Sequence, residues 1–466
     1  MFRGRIRSIH FVGIGGIGMS GIAEILLAYG FSVTGSDRAA SETTERLCTL
    51  GAAVAVGHDP AHVRSSDVVV YSSAIAFDNP EIVEARRAGI PVIPRAEMLA
   101  ELMRLQDGIA VAGSHGKTTT TSLLATVLRE ASLDPTVVIG GKLNSLGSNA
   151  ARGTGDLLVA EADESDGSFL HLSPVIAVIT NIDPEHLDHY GDHEQLKRAF
   201  LQFAQRVPFY GLVVACLDHP HVRDVIPRVE KRVVTYGLSQ EADYRARAVE
   251  QMGLKMSFEL MVRGRSRGTF EVQMPGQHSV LNALSVIAVA DELGVDSEVT
   301  RQALAGFSGV QRRFTVLGEV ADITVVDDYG HHPAEVEVTL EAARRAYGRR
   351  LVAAFQPHRY SRTQLLFGEL ARAFGLADVL LVTDVHAAGE APIEGADSAS
   401  LVAAIRAAGH QDVTYVPDHG ALVSSLTDRI EPGDVVLTLG AGSIARIGPA
   451  LIDNLRRVAK KRTSVE

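Results

Sequence analysis

The segment Gly113-Ser114-His115-Gly116-Lys117-Thr118-Thr119-Thr120 sets glycines, a lysine and hydroxyls in the order that holds a polyphosphate. Glycines let backbone N–H groups approach phosphate oxygens, the lysine reaches the terminal phosphates, and the Thr118 hydroxyl can join the shell of Mg²⁺. A strict phosphate loop has glycine where Val111 stands, so this one is a shortened variant. Three successive threonines open a helix poorly, because β-branching restricts their side chains, and this points to a ligand-binding reason for them. A second loop, Gly13-Ile14-Gly15-Gly16-Ile17-Gly18, fits G-x-G-x-x-G, with Asp37 at the end of the next strand where a ribose hydroxyl would be held. Its geometry specifies a nucleotide diphosphate at a helix N-terminus; a dinucleotide, another diphosphate and a merely structural turn all remain open. A dehydrogenase needs one such loop, and so does a kinase of a small alcohol. Two in one chain point to ATP combined with a second, diphosphate-bearing substrate.

Four carboxylates crowd into Glu161-Ala162-Asp163-Glu164-Ser165-Asp166. Like charges repel, so a run of this kind after an apolar strand suggests a cation, and hard oxygen ligands suit Mg²⁺. Further on, Thr180-Asn181-Ile182-Asp183-Pro184-Glu185-His186-Leu187-Asp188-His189-Tyr190 leaves another strand, with His193 close behind. Three histidines raise zinc, but no H-E-x-x-H occurs and the run begins on a proline-containing loop; a single active-site histidine and a polar structural loop are the alternatives. Imidazole suits Mn²⁺ or Zn²⁺ better than Mg²⁺, so His186 as a ligand would make a chemically mixed site. Gln311-Arg312-Arg313-Phe314, Asp327-Asp328-Tyr329-Gly330-His331-His332-Pro333 and Phe355-Gln356-Pro357-His358-Arg359-Tyr360-Ser361-Arg362-Thr363 supply local cations and imidazoles in a chain whose net charge is −11. Polyanionic ligands need such spots.

These residues sit where short β-branched runs give way to turns and helices, the pattern of parallel sheets covered by helices. Strands are expected at 8–12, 31–36, 68–71, 109–112, 157–160, 175–180, 212–215, 351–355, 379–382 and 435–438. Helices are expected at 20–29, 95–104, 118–131 and 279–293. Arginine-rich alternation between Tyr244 and Met274 reads as antiparallel hairpins. The fold class is α/β, with domains at 1–107, 108–316 and 317–466. Open sheets of this kind bind ligands at the C-terminal ends of their strands, where the motifs lie.

Composition narrows the function. Forty-five Lys and Arg stand against 56 Asp and Glu in 466 residues, so no broad basic face for nucleic acid is expected. Two cysteines, Cys48 and Cys216, build neither a disulfide framework nor a thiolate cluster. The basic start followed by an uncharged stretch superficially resembles a signal peptide, but five glycines between Gly13 and Gly21 and then Glu24 argue against an apolar helix. A cytoplasmic protein with no membrane partner is the expectation.

Taken in order, GIGGIGMSGIAE, GSHGKTTT, EADESDGSF, TNIDPEHLDHY, GVQRRF, DDYGHHPAEV, FQPHRYSRT and DVHAAGEAPI resemble the ATP-dependent Mur ligases of peptidoglycan synthesis over nearly the whole chain. That resemblance implies three domains: an N-terminal Rossmann-like domain for a UDP-sugar, a central P-loop-type ATP-binding domain and a C-terminal Rossmann-like domain. It also implies joining of L-alanine to UDP-N-acetylmuramate through an acyl phosphate, by a monomer or weak homodimer. Carried over by residue, Gly13, Gly15, Gly16, Gly18, Asp37 and Ser73 hold the UDP-substrate. Gly113, Ser114, His115, Gly116, Lys117, Thr118 and Thr119 hold the ATP phosphates. Thr118 and Glu161 bind Mg²⁺ and His186 a second ion. His278 and Asn282 approach the adenine, Arg313 and Asp328 contact the nucleotide, and His358 with Arg359 lies near the incoming amino acid. His358 or His186 assists deprotonation of the amine.

Four positions depart from the family pattern. Ser114 stands where threonine is common, Ser279 where asparagine usually follows the histidine, and His386 where tyrosine is frequent. Leu201 occupies the place at which sister ligases carry a carbamylated lysine, and Lys197 is off register, so no carbamate is expected. A ligase that recycles murein tripeptide is the nearest alternative activity. A nicotinamide-dependent oxidoreductase would leave the Lys117 loop and the acidic run without a task.

Overall fold

The computed structural model describes residues 6–72, 74–140 and 149–463. They form two compact units: one runs through Ala248 and takes in Phe258–Phe270 and Leu281–Val310, and the other takes Val249–Ser257, Glu271–Val280 and the chain from Gln311 onward.

The first sheet is built from β1 (Ser8–Val12), β2 (Ser32–Asp37), β3 (Ala53–Val56), β4 (Val68–Tyr71) and β5 (Val92–Pro94). Its order is β3-β2-β1-β4-β5, all parallel, with the reversal of winding beside β1. A crevice opens at the C-terminal ends of strands at such a reversal, and the loop 13–18 leaves β1 there. The helix expected from Ser20 starts earlier, at Ile17, with Gly16 as its N-cap. Gly18 and Gly21 lie inside it because neighbours press close: a Cβ on Gly21 would come within 2.9 Å of Ala150 Cβ.

The second sheet takes β6 (Asp107–Ala112), β7 (Thr136–Val138), β8 (Ala150–Ala151), β9 (Leu157–Glu161), β10 (Ile176–Ile179), β11 (Leu212–Cys216), β12 (Val233–Gly237), β13 (Tyr244–Met252), β14 (Lys255–Val262) and β15 (Arg265–Val272). Its order is β15-β14-β13-β12-β11-β10-β6-β9-β7-β8. Strands β10, β6 and β9 are parallel neighbours. Ile109–Ala112 and Leu158–Ala160 are buried, as continuous apolar strands covered on both faces must be. Two-residue connections join β13 to β14 and β14 to β15, giving the hairpins that the arginine-rich alternation predicts. Asp107 belongs to β6, so the break expected at 107 falls at the first residue of a strand.

The third sheet comprises β16 (Thr315–Val320), β17 (Ile323–Asp328), β18 (Leu351–Phe355), β19 (Val379–Val382), β20 (Val413–Tyr415) and β21 (Val435–Leu439), ordered β16-β17-β21-β18-β19-β20 with only β16 antiparallel. Along β18, Leu351, Ala353 and Phe355 enter one core and Val352 and Ala354 the other, the period-two alternation of a sheet packed on both faces. Among the described residues no helix is long and apolar enough to cross a membrane.

One buried carboxylate ties the first sheet together. Glu81, fully buried, accepts hydrogen bonds from Ser36 Oγ at 2.5 Å, His62 Nδ1 at 2.7 Å and His58 Nδ1 at 3.1 Å. Burial by itself would raise its pKa, but the nearby His10, 3.6 Å away, and the hydrogen bonds from Ser36 and His62 more than offset this, leaving it at about 2. A carboxyl with a depressed folded pKa stabilises fully above its unfolded value and loses that contribution as pH falls towards the folded one. Glu81→Gln is therefore expected to lower the melting temperature at neutral pH by the equivalent of about 3 kcal/mol. The gap between variant and wild type should close between pH 4.5 and about 2 in thermal scans; a gap independent of pH would contradict this.

Candidate active site

Because β10, β6 and β9 lie side by side and parallel, the loops leaving their C-terminal ends meet. These are the loop 113–117 after β6, the acidic run after β9 and the segment 180–186 after β10. The strand order thus gathers three motifs that are far apart in sequence.

Gly113 has φ +140° and Gly116 φ +81°. Both conformations are open to glycine and strained for other residues. The loop is further pinned from β10: His115 N–H donates to Asn181 Oδ1 at 2.7 Å, and Thr180 Oγ1 donates to the His115 carbonyl at 2.6 Å. Ser114 Oγ accepts from Asp183 N–H at 2.8 Å, so the serine in place of threonine keeps the bonding role of the hydroxyl. Lys117 opens the helix Lys117–Glu130 and folds its Nζ back onto the loop, 2.6 Å from the Gly113 carbonyl and 3.1 Å from that of Ser114. Its third partner is Glu164 Oε1 at 2.7 Å. Burial of Lys117 would lower its pKa, but the Glu164, Glu161 and Asp163 charges more than compensate and hold it charged. Thr118 Oγ1 donates to Glu161 Oε1 at 2.9 Å, and the other oxygen of Glu161 accepts from Gly140 N–H. Thr119 is buried in the first turn of the same helix.

Glu164, which the motif pattern does not single out within the acidic run, is the innermost carboxylate. Burial, reinforced by Asp163, pushes its pKa up to about 7 against the pull of Lys117. Its Oε2 is buried without a hydrogen-bond partner. His186, in a left-handed conformation (φ +56°), places Nε2 3.8 Å from Glu164 Oε1 and 3.7 Å from Glu185 Oε2. Ligand atoms of Glu164, Glu185 and His186 lie within 4.8 Å of one another. Two carboxylates, one with an unpartnered oxygen, and the adjacent Thr118–Glu161 pair fit a hard divalent cation. Asp183, on which the motif pattern is equally silent, bridges His115 Nε2 (3.3 Å) and His219 Nε2 (3.2 Å).

In the glycine loop after β1, Gly13 (φ +81°) and Ile14 donate N–H bonds to the Ser36 carbonyl, and Gly15 donates to Asp37 Oδ2 at 2.8 Å. Asp37 thereby closes the loop itself. No side chain caps the helix that follows Gly16, and Gly18 lies under the Arg95 side chain. Ser73 lies outside the described residues. Asn282 is buried beside the phosphate loop, where a Cβ on Gly116 would come within 2.8 Å of its Oδ1.

The second unit carries the remaining expected residues. His278 is exposed at the surface of this unit, and the Arg313 charge disfavours its protonation. Ser279 Oγ donates to the Pro275 carbonyl at 2.8 Å. Asp328 accepts from the Phe314 and Gly330 N–H groups, and burial raises its pKa to about 6 against Arg313. Arg313 pairs with Glu335 at 3.4 Å. His358 stacks on His386 with ring centroids 5.4 Å apart and meets His331 at 5.6 Å; burial and the surrounding cations lower it to about 3. Arg359 caps the next short helix with φ +66°. In the first unit, Leu201 packs against the core and Lys197 pairs with Glu194 and Asp224.

A phosphate loop backed by a buried carboxylate, on the parallel strands of an α/β sheet preceded by a glycine-loop sheet, defines a nucleotide-using enzyme, and the chain belongs to the Mur ligase family. It matches that family's catalytic domain over residues 8–107, its middle domain over 111–290 and its glutamate ligase domain over 312–442. UDP-N-acetylmuramate–L-alanine ligase of Sorangium cellulosum is 61% identical over 447 residues, 95% of either chain. The enzyme of the same name from Anaeromyxobacter dehalogenans is 60% identical over 98% of this chain and 100% of its own. Among solved structures, UDP-N-acetylmuramate–alanine ligase of Thermotoga maritima superposes with a TM-score of 0.82 at 30% identity, covering 97% of this chain and 99% of its own. The murein peptide ligase of Psychrobacter arcticus reaches 0.69 at 26% identity, covering 96% and 98%.

Proposed function

We propose that this chain joins L-alanine to the carboxylate of UDP-N-acetylmuramate in peptidoglycan synthesis, in the cytoplasm, converting ATP to ADP and phosphate. The observation that carries the reading is the engagement of Lys117 with Glu164 at the meeting of three strand ends, in a chain about 60% identical to ligases of that name. A carboxylate is a poor acylating agent because hydroxide is a poor leaving group; phosphorylation supplies a good one. The muramoyl carboxylate attacks the γ-phosphorus, ADP leaves, and the amine of L-alanine displaces phosphate from the acyl carbon.

In this reading Gly113–Thr119 cradles the triphosphate and Lys117 offsets the charge that spreads over the transferring oxygens. Thr118, Glu161, Glu164, Glu185 and His186 hold Mg²⁺, which neutralises phosphate charge when bound. Asn282 and His278 face the adenine, with Ser279 withdrawn from that contact by its bond to Pro275. Gly13–Gly18 holds the UDP diphosphate. His358, beside Arg359 at the end of β18, or His186, after β10, is the imidazole that accepts the amine proton. Holding the reactants in line contributes roughly 7–11 kcal/mol to the rate through positioning.

Phosphate release from ATP in the presence of UDP-N-acetylmuramate tests the reading, with L-alanine, other amino acids and murein tripeptide compared. L-alanine should drive release best. Release driven best by the tripeptide would move the chain to the recycling activity of the murein peptide ligases.

A further inference from the structure

Arg95 is the first residue of the helix Arg95–Met103, directly after β5. Its side chain lies across the first turn of the helix that follows the glycine loop. A Cβ on Gly18 would come within 3.0 Å of Arg95 Cδ, 3.3 Å of Nε and 3.5 Å of Cζ. Glycine at 18 is therefore what admits the arginine stem. The other end of the guanidinium reaches the acidic run, with Nη2 3.9 Å from Asp163 Oδ2. Arg95 is thus a cation that spans the diphosphate loop and the carboxylates around Lys117, a junction no motif in the sequence marks.

The pairing with Asp163 is loose. At 3.9 Å it is an ion pair without hydrogen-bond contact, and the Asp163 side chain is 44% exposed against 21% for Arg95. Exposed pairs of this kind are worth about 0–1 kcal/mol, so little opposes exchange of Asp163 for another anion. Lys117, by contrast, is already committed to two carbonyls and Glu164. In the proposed reaction the substrate carboxylate comes to the Lys117 loop, where the charges of Glu161 and Asp163 repel it. A planar guanidinium that can fork onto both carboxylate oxygens offsets that repulsion and fixes orientation.

We infer that Arg95 is a catalytic residue that exchanges Asp163 for the muramoyl carboxylate, steering one oxygen of that acid onto the γ-phosphorus. This deepens the proposed function and rests on it. The carboxylate oxygen forms a bond to phosphorus while the bond to the β–γ bridging oxygen breaks, and its electron pair leaves on ADP. Arg95 remains on the other carboxyl oxygen. The amine nitrogen then attacks the acyl carbon, the acyl C–O bond breaks, phosphate leaves, and the amine proton passes to a base.

The test compares Arg95→Met and Arg95→Lys with wild type in the full chain. Binding is measured calorimetrically with UDP-N-acetylmuramate and with UDP-N-acetylglucosamine, which has the diphosphate and lacks the acid. Turnover is followed by phosphate release. Both variants should melt like wild type and bind UDP-N-acetylglucosamine unchanged. They should bind UDP-N-acetylmuramate more weakly and lose on the order of 100-fold in kcat, the scale of one oxyanion partner. Lysine should recover little, because it keeps the charge and loses the fork. Equal weakening of both sugar nucleotides would assign Arg95 to the diphosphate and overturn the inference, and so would unchanged kcat. If Arg95→Met fails to fold, Arg95→Lys carries the same comparison, since it keeps the stem over Gly18. A wild-type chain that releases no phosphate with UDP-N-acetylmuramate and L-alanine would fail the functional reading itself, whatever the variants do.

Discussion

Lys117→Met is expected to abolish measurable acyl-phosphate formation, lowering kcat on the order of 1000-fold while leaving UDP-sugar binding intact. Methionine keeps the length and the apolar stem and removes only the ammonium. The change also strands Glu164, whose side chain is 2% exposed. Removing one partner of a buried ion pair costs about 3–5 kcal/mol when the other stays charged. Loss of activity alone would therefore not separate catalysis from stability. The double variant Lys117→Met/Glu164→Gln, read against Glu164→Gln alone, separates them: it leaves no buried charge behind, and the single variant shows what loss of the Glu164 carboxylate does to turnover. The double variant should recover most of the lost melting temperature and none of the lost turnover. Recovery of turnover along with stability would mean that the lysine only neutralises Glu164.

Gly113→Ala should be nearly as damaging, by a different route. The added Cβ would collide with Thr180 Oγ1, and φ is +140°. A side chain is strained at that backbone angle whatever the space around it. Thr180 cannot move freely, since its hydroxyl donates to the His115 carbonyl and so fixes the far side of the loop. The loop must give instead. Strain of about 3 kcal/mol at the backbone corresponds to roughly a 100-fold loss of ATP affinity. Titration with ATP should show that loss, while UDP-N-acetylmuramate, which the proposed reading places on the sheet of β1, should bind as before. Adding Thr180→Gly removes the collision but not the strained φ, so affinity should return only in part. Full ATP affinity in Gly113→Ala would contradict the role given to this loop.

Much of this is legible in the sequence because phosphate chemistry is written largely in backbone-permissive residues. Gly113, Gly116, Lys117 and Thr118 announce their geometry through local spacing, and the apolar runs of β4, β18 and β19 match the observed strands end for end. What stays hidden depends on contacts between distant segments. Among Glu161, Asp163, Glu164 and Asp166, the run itself does not say which carboxylate turns inward. Once β9 ends, the period-two alternation stops, and Glu164 is selected by Lys117 approaching from β6. Asp183 reads as part of a loop until β10 sets it between His115 and His219. Local spacing puts the start of the helix 17–28 too late because Gly18 resembles a turn residue. It is glycine because Arg95 lies against it, as Ala150 lies against Gly21 one turn on. Arg95 itself looks like an ordinary helix start; only the pairing of two sheets' loops gives it an anion to meet.

In the proposed reaction, ligation depends on transfer of a phosphoryl group to the sugar acid before the amine attacks. The most direct test uses UDP-N-acetylmuramate labelled with ¹⁸O in both oxygens of its carboxylate, turned over with ATP and L-alanine, with the released phosphate read by mass spectrometry. Each phosphate should carry one ¹⁸O, because the acyl C–O bond that breaks leaves a carboxylate oxygen on phosphorus. Phosphate free of label, with product formed at the normal rate, would contradict activation of the acid at the Lys117 loop.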